Sequence, residues 1–83
     1  MTTADEIRVQ LRAILADLSR GARFEDADDV FALGIVRSLN LVELITCVED
    51  TYGFEVVQRD VFDGHLRSVD RLVAFVVGRQ AGA

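Results

Sequence analysis

The chain has 83 residues, 51% of them apolar, and this composition predicts a single folded domain over residues 1–83 rather than a disordered segment. Its apolar runs are far shorter than the roughly 20 residues of a membrane span, and the chain does not open on a basic region followed by an apolar stretch. We therefore expect a cytoplasmic protein. The one cysteine, Cys47, excludes an internal disulfide, and the one histidine, His65, leaves no plausible metal cluster.

The negative charge is concentrated in the middle of the sequence. The net charge is −5, and residues 25–63 hold ten of the fourteen acids but only two of the nine basic residues, all of which are arginines. Such a segment repels nucleic acid and anionic lipid and attracts basic protein surfaces. We therefore expect protein partners and neither nucleic-acid nor membrane binding.

The first helix is predicted from Ala4 to about Ser19. Thr3 and Glu6 have capping-box spacing, in which the threonine hydroxyl accepts a free amide of the first turn and the glutamate reaches back. Gly21 follows the end of this helix. Its apolar residues form one stripe that should face the core: Ile7, Leu11, Ile14, Leu15 and Leu18.

Residues 20–37 form a long connection, and a structureless connection of this length is unusual unless it is packed or functional. Asp26, Asp28 and Asp29 are candidates to cap a single helical turn within it. Its apolar residues should pack over the core: Phe24, Val30, Phe31, Leu33, Ile35 and Val36.

The second helix is predicted from Leu39 to Tyr52, with Ser38 as its N-cap. Gly53 stands where a left-handed residue often ends a helix, and Phe54 provides the apolar contact that commonly follows. Apolar spacing defines the buried face of this helix: Leu41, Leu44, Ile45, Val48 and Tyr52.

Two further helices follow in the prediction. A short one covers residues 58–62 and ends near Gly64, and the last runs from Val69 to about Arg79 with Ser68 as its N-cap. No segment shows the strict alternation of a half-buried strand. These elements predict an all-α fold, a small four-helix bundle with three main helices and one short helix. The inner stripe of the last helix should be Val69, Leu72, Val73 and Val76.

The outer face of the predicted second helix combines apolar and acidic residues. A solvated face would not normally carry a leucine and a valine. Two explanations stay open: the pair packs under the long connection, or it forms the centre of a partner-docking surface whose acids steer basic partners toward it. The residues of this face are Leu39, Val42, Glu43, Thr46, Glu49 and Asp50.

The residues around the predicted start of this helix form an extended pattern. Residues 31–39 read Phe-Ala-Leu-Gly-Ile-Val-Arg-Ser-Leu, and residues 42–45 and 48–56 continue it. The pattern resembles the acyl carrier protein family, whose members have Phe, two residues, Gly, an apolar residue, a variable residue and then Asp-Ser-Leu. The resemblance is densest over residues 31–56, and helix order and spacing agree over about residues 3–77.

The resemblance implies that Ser38 is an attachment point and not a catalyst. In that family a phosphopantetheinyl transferase joins the serine oxygen to 4′-phosphopantetheine from coenzyme A, and the thiol of this arm holds an acyl or aminoacyl thioester. The implied partners are this transferase, an acyl- or aminoacyl-loading ligase, and an acyltransferase or synthase. They would dock on Arg37, Leu39, Val42, Glu43, Thr46, Glu49 and Asp50.

Three positions qualify the resemblance. Ser68 also follows an arginine, but it lacks the upstream Phe and Gly and the acidic helix, so we interpret it as a structural N-cap. Arg37 stands where the family usually has Asp, and Asn40 where an acid is common. These departures indicate a carrier with dedicated partners, or one that is no longer modified.

We therefore expect a discrete, monomeric carrier protein that serves separate enzymes in polyketide or nonribosomal secondary-metabolite biosynthesis. Residues 41–45 resemble stand-alone aminoacyl carriers, and this resemblance favours an aminoacyl cargo over a fatty acyl, polyketide or peptide group. We do not expect an enzyme, because no His, Cys or pair of carboxylates is spaced for catalysis. The alternative is a small helical protein-interaction domain without a prosthetic group.

Overall fold

Four helices and no strand make up the part of the chain that the computed structural model describes, which is residues 3–81 apart from the side chains of Ser38 and Ala81. α1 packs against both α4 and α2. The prediction of an all-helical fold with three main helices and one short helix is confirmed. No helix in the described range is long and apolar enough to cross a membrane. The helices are α1 (Ala4–Leu18), α2 (Ser38–Tyr52), α3 (Gln58–Phe62) and α4 (Val69–Ala81).

The core is built from the predicted apolar stripes of the three long helices. On α2, Leu41, Ile45 and Tyr52 are partly buried and border the fully buried residues. Because all three helices bury a continuous stripe, removal of apolar surface from water is the main stabilising term of the bundle. The fully buried side chains of these helices are Ile7, Leu11, Leu15, Leu44, Val48, Val69, Leu72 and Val76.

The start of α1 differs slightly from a full capping box. The Thr3 hydroxyl accepts a hydrogen bond from the Glu6 amide at 3.2 Å, as predicted. The Glu6 carboxylate does not reach the Thr3 amide as we expected, because it accepts from the Thr3 hydroxyl at 3.3 Å instead. α1 ends at Leu18, and Gly21 follows in a left-handed conformation (φ +84°).

The connection between α1 and α2 contains one aspartate-capped turn. Asp29 Oδ1 accepts from the amides of Phe31 and Ala32, each at 3.0 Å, which confirms one of the three predicted capping residues. The other two aspartates have different partners. Asp28 accepts from the Glu25 amide at 2.8 Å, and Asp26 binds arginines of α1.

Most apolar residues of the connection pack on the core as predicted. Phe24, Val30 and Val36 are buried, and Phe31 is partly buried against them. Leu33 is an error of the prediction, since its side chain is 58% exposed. The buried Val30 begins the turn, and the turn then carries residues 32–34 to the outside.

Glycine and serine define the ends of the other helices. Gly53 has φ +74°, and its amide donates to the Glu49 carbonyl at 2.8 Å, which confirms the predicted left-handed end of α2. Phe54 follows and packs edge-on against Phe75 of α4, with ring centroids 5.5 Å apart. The Ser68 hydroxyl accepts from the Arg71 amide at 3.1 Å and caps α4.

Candidate functional site

Ser38 is the first residue of α2, one position further into the helix than predicted. Arg37 occupies the N-cap position with an extended backbone (φ −112°, ψ 177°). An arginine side chain has only hydrogen-bond donors, so it cannot accept an amide of the first turn. The amino end of α2 therefore has no cap from its N-cap residue. The side chain of Ser38 lies outside the described residues.

The outer face of α2 is open to solvent. Leu39 is 84% exposed and Val42 is 65% exposed. Glu43 and Asp50 are exposed beside them. The explanation that Leu39 and Val42 pack under the long connection is therefore wrong. The described chain leaves two apolar side chains in water beside carboxylates, which is the arrangement expected of a docking surface.

Two residues of this face also have partners within the chain. Glu49 is half-buried, and its Oε2 accepts from the Val56 amide at 2.9 Å. The Thr46 hydroxyl donates to the Val42 carbonyl at 3.0 Å. Glu49 therefore fixes the segment between α2 and α3, while Thr46 offers solvent little more than a methyl group and an acceptor oxygen.

The structure gives a physical reason for the departure at Asn40. Its side-chain amide donates to the Leu18 carbonyl at 3.4 Å and links the start of α2 to the end of α1. An ionised carboxylate here would face that carbonyl with two acceptors and no donor. An acid at position 40 would therefore lose this contact.

The outer face of α2 has its positive charge at the amino end and its negative charges further along the helix. Arg37 is exposed at its amino end, and neither it nor Glu43 nor Asp50 forms an ion pair among the side chains that the structure describes. The aspartates of the preceding connection are already paired. Asp29 binds Arg67 at 2.7 Å, and Asp26 binds arginines of α1.

Ser68 provides an internal comparison with Ser38, because both follow an arginine at the start of a helix. Ser68 is buried, with its hydroxyl committed to the Arg71 amide, so its predicted role as a structural N-cap is confirmed. Its oxygen is not available for attachment of a group. The start of α4 therefore resembles that of α2 in sequence, but its serine serves as a cap.

Phe62 is an exposed apolar residue that the sequence analysis left unassigned. It ends α3 and is 80% exposed. The preceding residue, Val61, packs against the core, so the five-residue helix buries one side and turns Phe62 outward. The sequence shows that Val61 and Phe62 are adjacent apolar residues. It does not show which of the two the short helix turns toward the core.

The two remaining candidates have structural surroundings. His65 is half-buried, and its ring stacks on Phe75 at 5.0 Å, while Cys47 is half-buried on the flank of α2. Across residues 3–81 no three metal-binding side chains come together.

Comparisons with models of protein families, with curated proteins and with solved structures found no match.

Proposed function

We propose that the protein is an acyl or aminoacyl carrier protein that holds its cargo as a thioester on a 4′-phosphopantetheine arm attached to Ser38. The observation that carries the proposal is the serine at the first position of a helix whose outer face leaves Leu39 and Val42 in water beside unpaired acids. The resemblance over residues 31–56 supplies the chemistry. The carrier would serve polyketide or nonribosomal biosynthesis and would not itself be an enzyme.

The amino end of α2 is suited to the arm's phosphodiester. The first turn contains no acidic residue, and Arg37 cannot cap its amides. Free amides and the positive end of the helix dipole favour a permanent anion by about 0.3–1 kcal/mol. The exposed cation of Arg37 adds to this positive potential.

The attachment itself needs little from this chain. A transferase joins the Ser38 oxygen to the phosphorus of the 4′-phosphopantetheine moiety of coenzyme A, the pyrophosphate bond breaks, adenosine 3′,5′-bisphosphate leaves, and the serine proton is released. The bound arm supplies the thiol that forms the thioester. What this chain contributes is the position of Ser38 and the docking surface on α2, since each partner enzyme must hold the carrier while the arm reaches its active site.

Intact-mass spectrometry tests the proposal. Incubation with coenzyme A and a broad-specificity phosphopantetheinyl transferase should add one phosphopantetheine to the wild-type chain. Ser38→Ala should abolish the addition, whereas the matched variant Ser68→Ala should keep it, because Ser68 is buried as a cap. An adduct that persists in Ser38→Ala would refute the site. A wild-type chain that no transferase modifies would favour the protein-interaction domain without a prosthetic group.

A further inference from the structure

We propose that Arg37 makes the α2 surface selective by charge. The preferred loading ligase places a carboxylate opposite Arg37, basic side chains opposite Glu43 and Asp50, and an apolar contact on Leu39 and Val42. This inference rests on the proposed function, because it describes the enzyme that loads the arm.

The surface is bipolar along the helix axis. At 1.5 Å per residue, Glu43 lies about 9 Å and Asp50 about 20 Å beyond Arg37. The exposed Leu39 and Val42 lie between Arg37 and Glu43 in the sequence. One cation at the amino end and two anions further along therefore flank a small apolar centre.

No described carboxylate of the chain neutralises Arg37. The nearest acids in the preceding sequence are Asp29, which pairs with Arg67, and Asp28, which accepts from the Glu25 amide. Further along α2, the half-buried Glu49 accepts from the Val56 amide. Apart from the arm's phosphodiester, which the Arg37 cation favours, a partner that covers this end of α2 must therefore supply the compensating charge or bury an unpaired guanidinium.

This requirement discriminates between partners. A ligase that is basic along its whole contact surface would meet Arg37 as a like charge, which is unfavourable when the contact is desolvated. A ligase with a carboxylate at that point forms a charge-assisted pair, and the planar guanidinium allows two parallel hydrogen bonds. Arg37 therefore acts against generic basic partners and for a dedicated one.

A second copy of this chain is a poor occupant of the surface. Two copies repel each other at long range, because each has a net charge of −5. The exposed apolar centre consists of two side chains, which is small against the about 1,200 Å² that specific interfaces usually bury. The charge pattern thus favours a different protein.

The sequence allows a direct test because it contains no lysine. Arg37→Lys introduces the one side-chain amine of the chain, and a carbodiimide joins an amine only to a carboxylate that it touches. The probe is chosen from a panel of purified acyl- and aminoacyl-activating ligases. It is the one that loads the wild-type holo protein with the highest kcat/KM. Arg23→Lys is the control, since Arg23 is an exposed arginine of the connection beside α1.

We expect Arg37→Lys to give a cross-link that maps position 37 to a ligase carboxylate, and Arg23→Lys to give none. We also expect Arg37→Asp to lower kcat/KM with this ligase about tenfold at low salt. The loss should shrink near 1 M salt, where the Debye length is about 3 Å. Arg23→Asp, with the same change in net charge, should have little effect.

Every other outcome contradicts either the charge selectivity of Arg37 or the proposed function. Equal cross-linking from both lysine variants, or loading that is indifferent to Arg37→Asp, overturns the selectivity while the proposed function stands. Cross-linking between two copies of Arg37→Lys would make a second chain the occupant and also overturn it. If intact mass shows no phosphopantetheine on the wild type, the proposed function fails first and this inference fails with it.

Discussion

Leu39 and Leu44 belong to the same helix and have opposite environments. Leu44 is fully buried in the core, whereas Leu39 extends into solvent. Burying a leucine side chain stabilises the folded state by about 1.5–3 kcal/mol relative to leaving it exposed. A residue that forgoes this contribution, with acids on the same face, is more readily explained by partner binding than by packing.

Truncation of the two leucines should therefore have unequal effects. Leu44→Ala should lower the free energy of unfolding by about 2–5 kcal/mol, because it removes buried contacts and leaves a cavity, and Leu15→Ala should do the same on α1. Leu39→Ala and Thr46→Ala should change it very little. Urea denaturation of the four variants measures this. A loss from Leu39→Ala as large as that from Leu44→Ala would mean that the faces of α2 are misassigned.

At the scale of the element, two glycines of the helices should respond in opposite ways to alanine. Gly53 ends α2 at φ +74° with open space around its Cα, so Gly53→Ala should cost about 1–2 kcal/mol through backbone strain alone. Gly78 lies within α4, also in open space, and Gly78→Ala should stabilise by about 0.5–1 kcal/mol. Thermal and urea denaturation would show the two signs. Equal signs would contradict the left-handed end of α2.

The connection before α2 is an element held by charge as well as by packing. Amide hydrogen bonds from Ala32 and the guanidinium of Arg67 lower the pKa of Asp29. Burial alone would raise the pKa of Asp26, but the hydrogen bonds and charges of Arg8 and Arg12 outweigh it and lower that pKa. The Val30 amide also donates to the Arg67 carbonyl at 2.7 Å, so the connection is tied to the start of α4.

Acid should therefore loosen this element. A carboxyl whose folded-state pKa is depressed stabilises the fold above its unfolded value of about 3.9, and this contribution is lost as pH falls through the folded value. The free energy of unfolding should thus fall as the pH drops below about 4. Asp29→Asn should be less stable than the wild type at neutral pH and should lose less on acidification. The comparison variant is Asp50→Asn, which removes an exposed carboxylate of α2 without touching the connection; an equal change in both variants would contradict the role of Asp29.

The helices could be predicted from the sequence because their signals are local. Thr3, Gly53 and Ser68 act through neighbours within four residues, and the bounds of α3 were predicted as observed. What the sequence could not show depends on distant partners. Asp26 looked like a cap but is drawn to arginines of α1 fourteen or more residues away.

In the candidate site, too, the features set by local periodicity could be predicted, and those set by distant contacts could not. Helical periodicity alone placed Leu39, Val42, Glu43 and Asp50 on the outer face, and their exposure agrees. Periodicity could not reveal that Glu49 binds the Val56 amide, since that contact depends on the path of the chain after Gly53.

At the scale of the whole molecule, the described chain is one compact domain, and its net charge favours a monomer. The Cα radius of gyration is 11.6 Å, close to the about 12 Å expected for a single folded domain of this length. Copies with a net charge of −5 repel one another. Each copy also presents the exposed Glu43 next to the exposed Val42.

We therefore expect sedimentation at neutral pH to give a single species with the mass of one chain, 9.2 kDa, independent of protein concentration. Val42→Asp should leave that result unchanged, since it only adds charge. A dimer of the wild type that Val42→Asp dissociates would show that α2 is a self-association surface, and the monomer prediction would be wrong.

The exposed Leu39 and Val42 make the acids around them responsible for colloidal behaviour as well as for recognition. Near neutral pH, Glu43 and Asp50 keep neighbouring molecules apart while the two apolar side chains stay wet. As carboxylates are protonated in acid, the negative net charge approaches zero, and molecules can then associate through the same apolar patch. An apolar surface that is kept exposed for a transient partner thus lowers the solubility of the protein in acid and promotes its aggregation there.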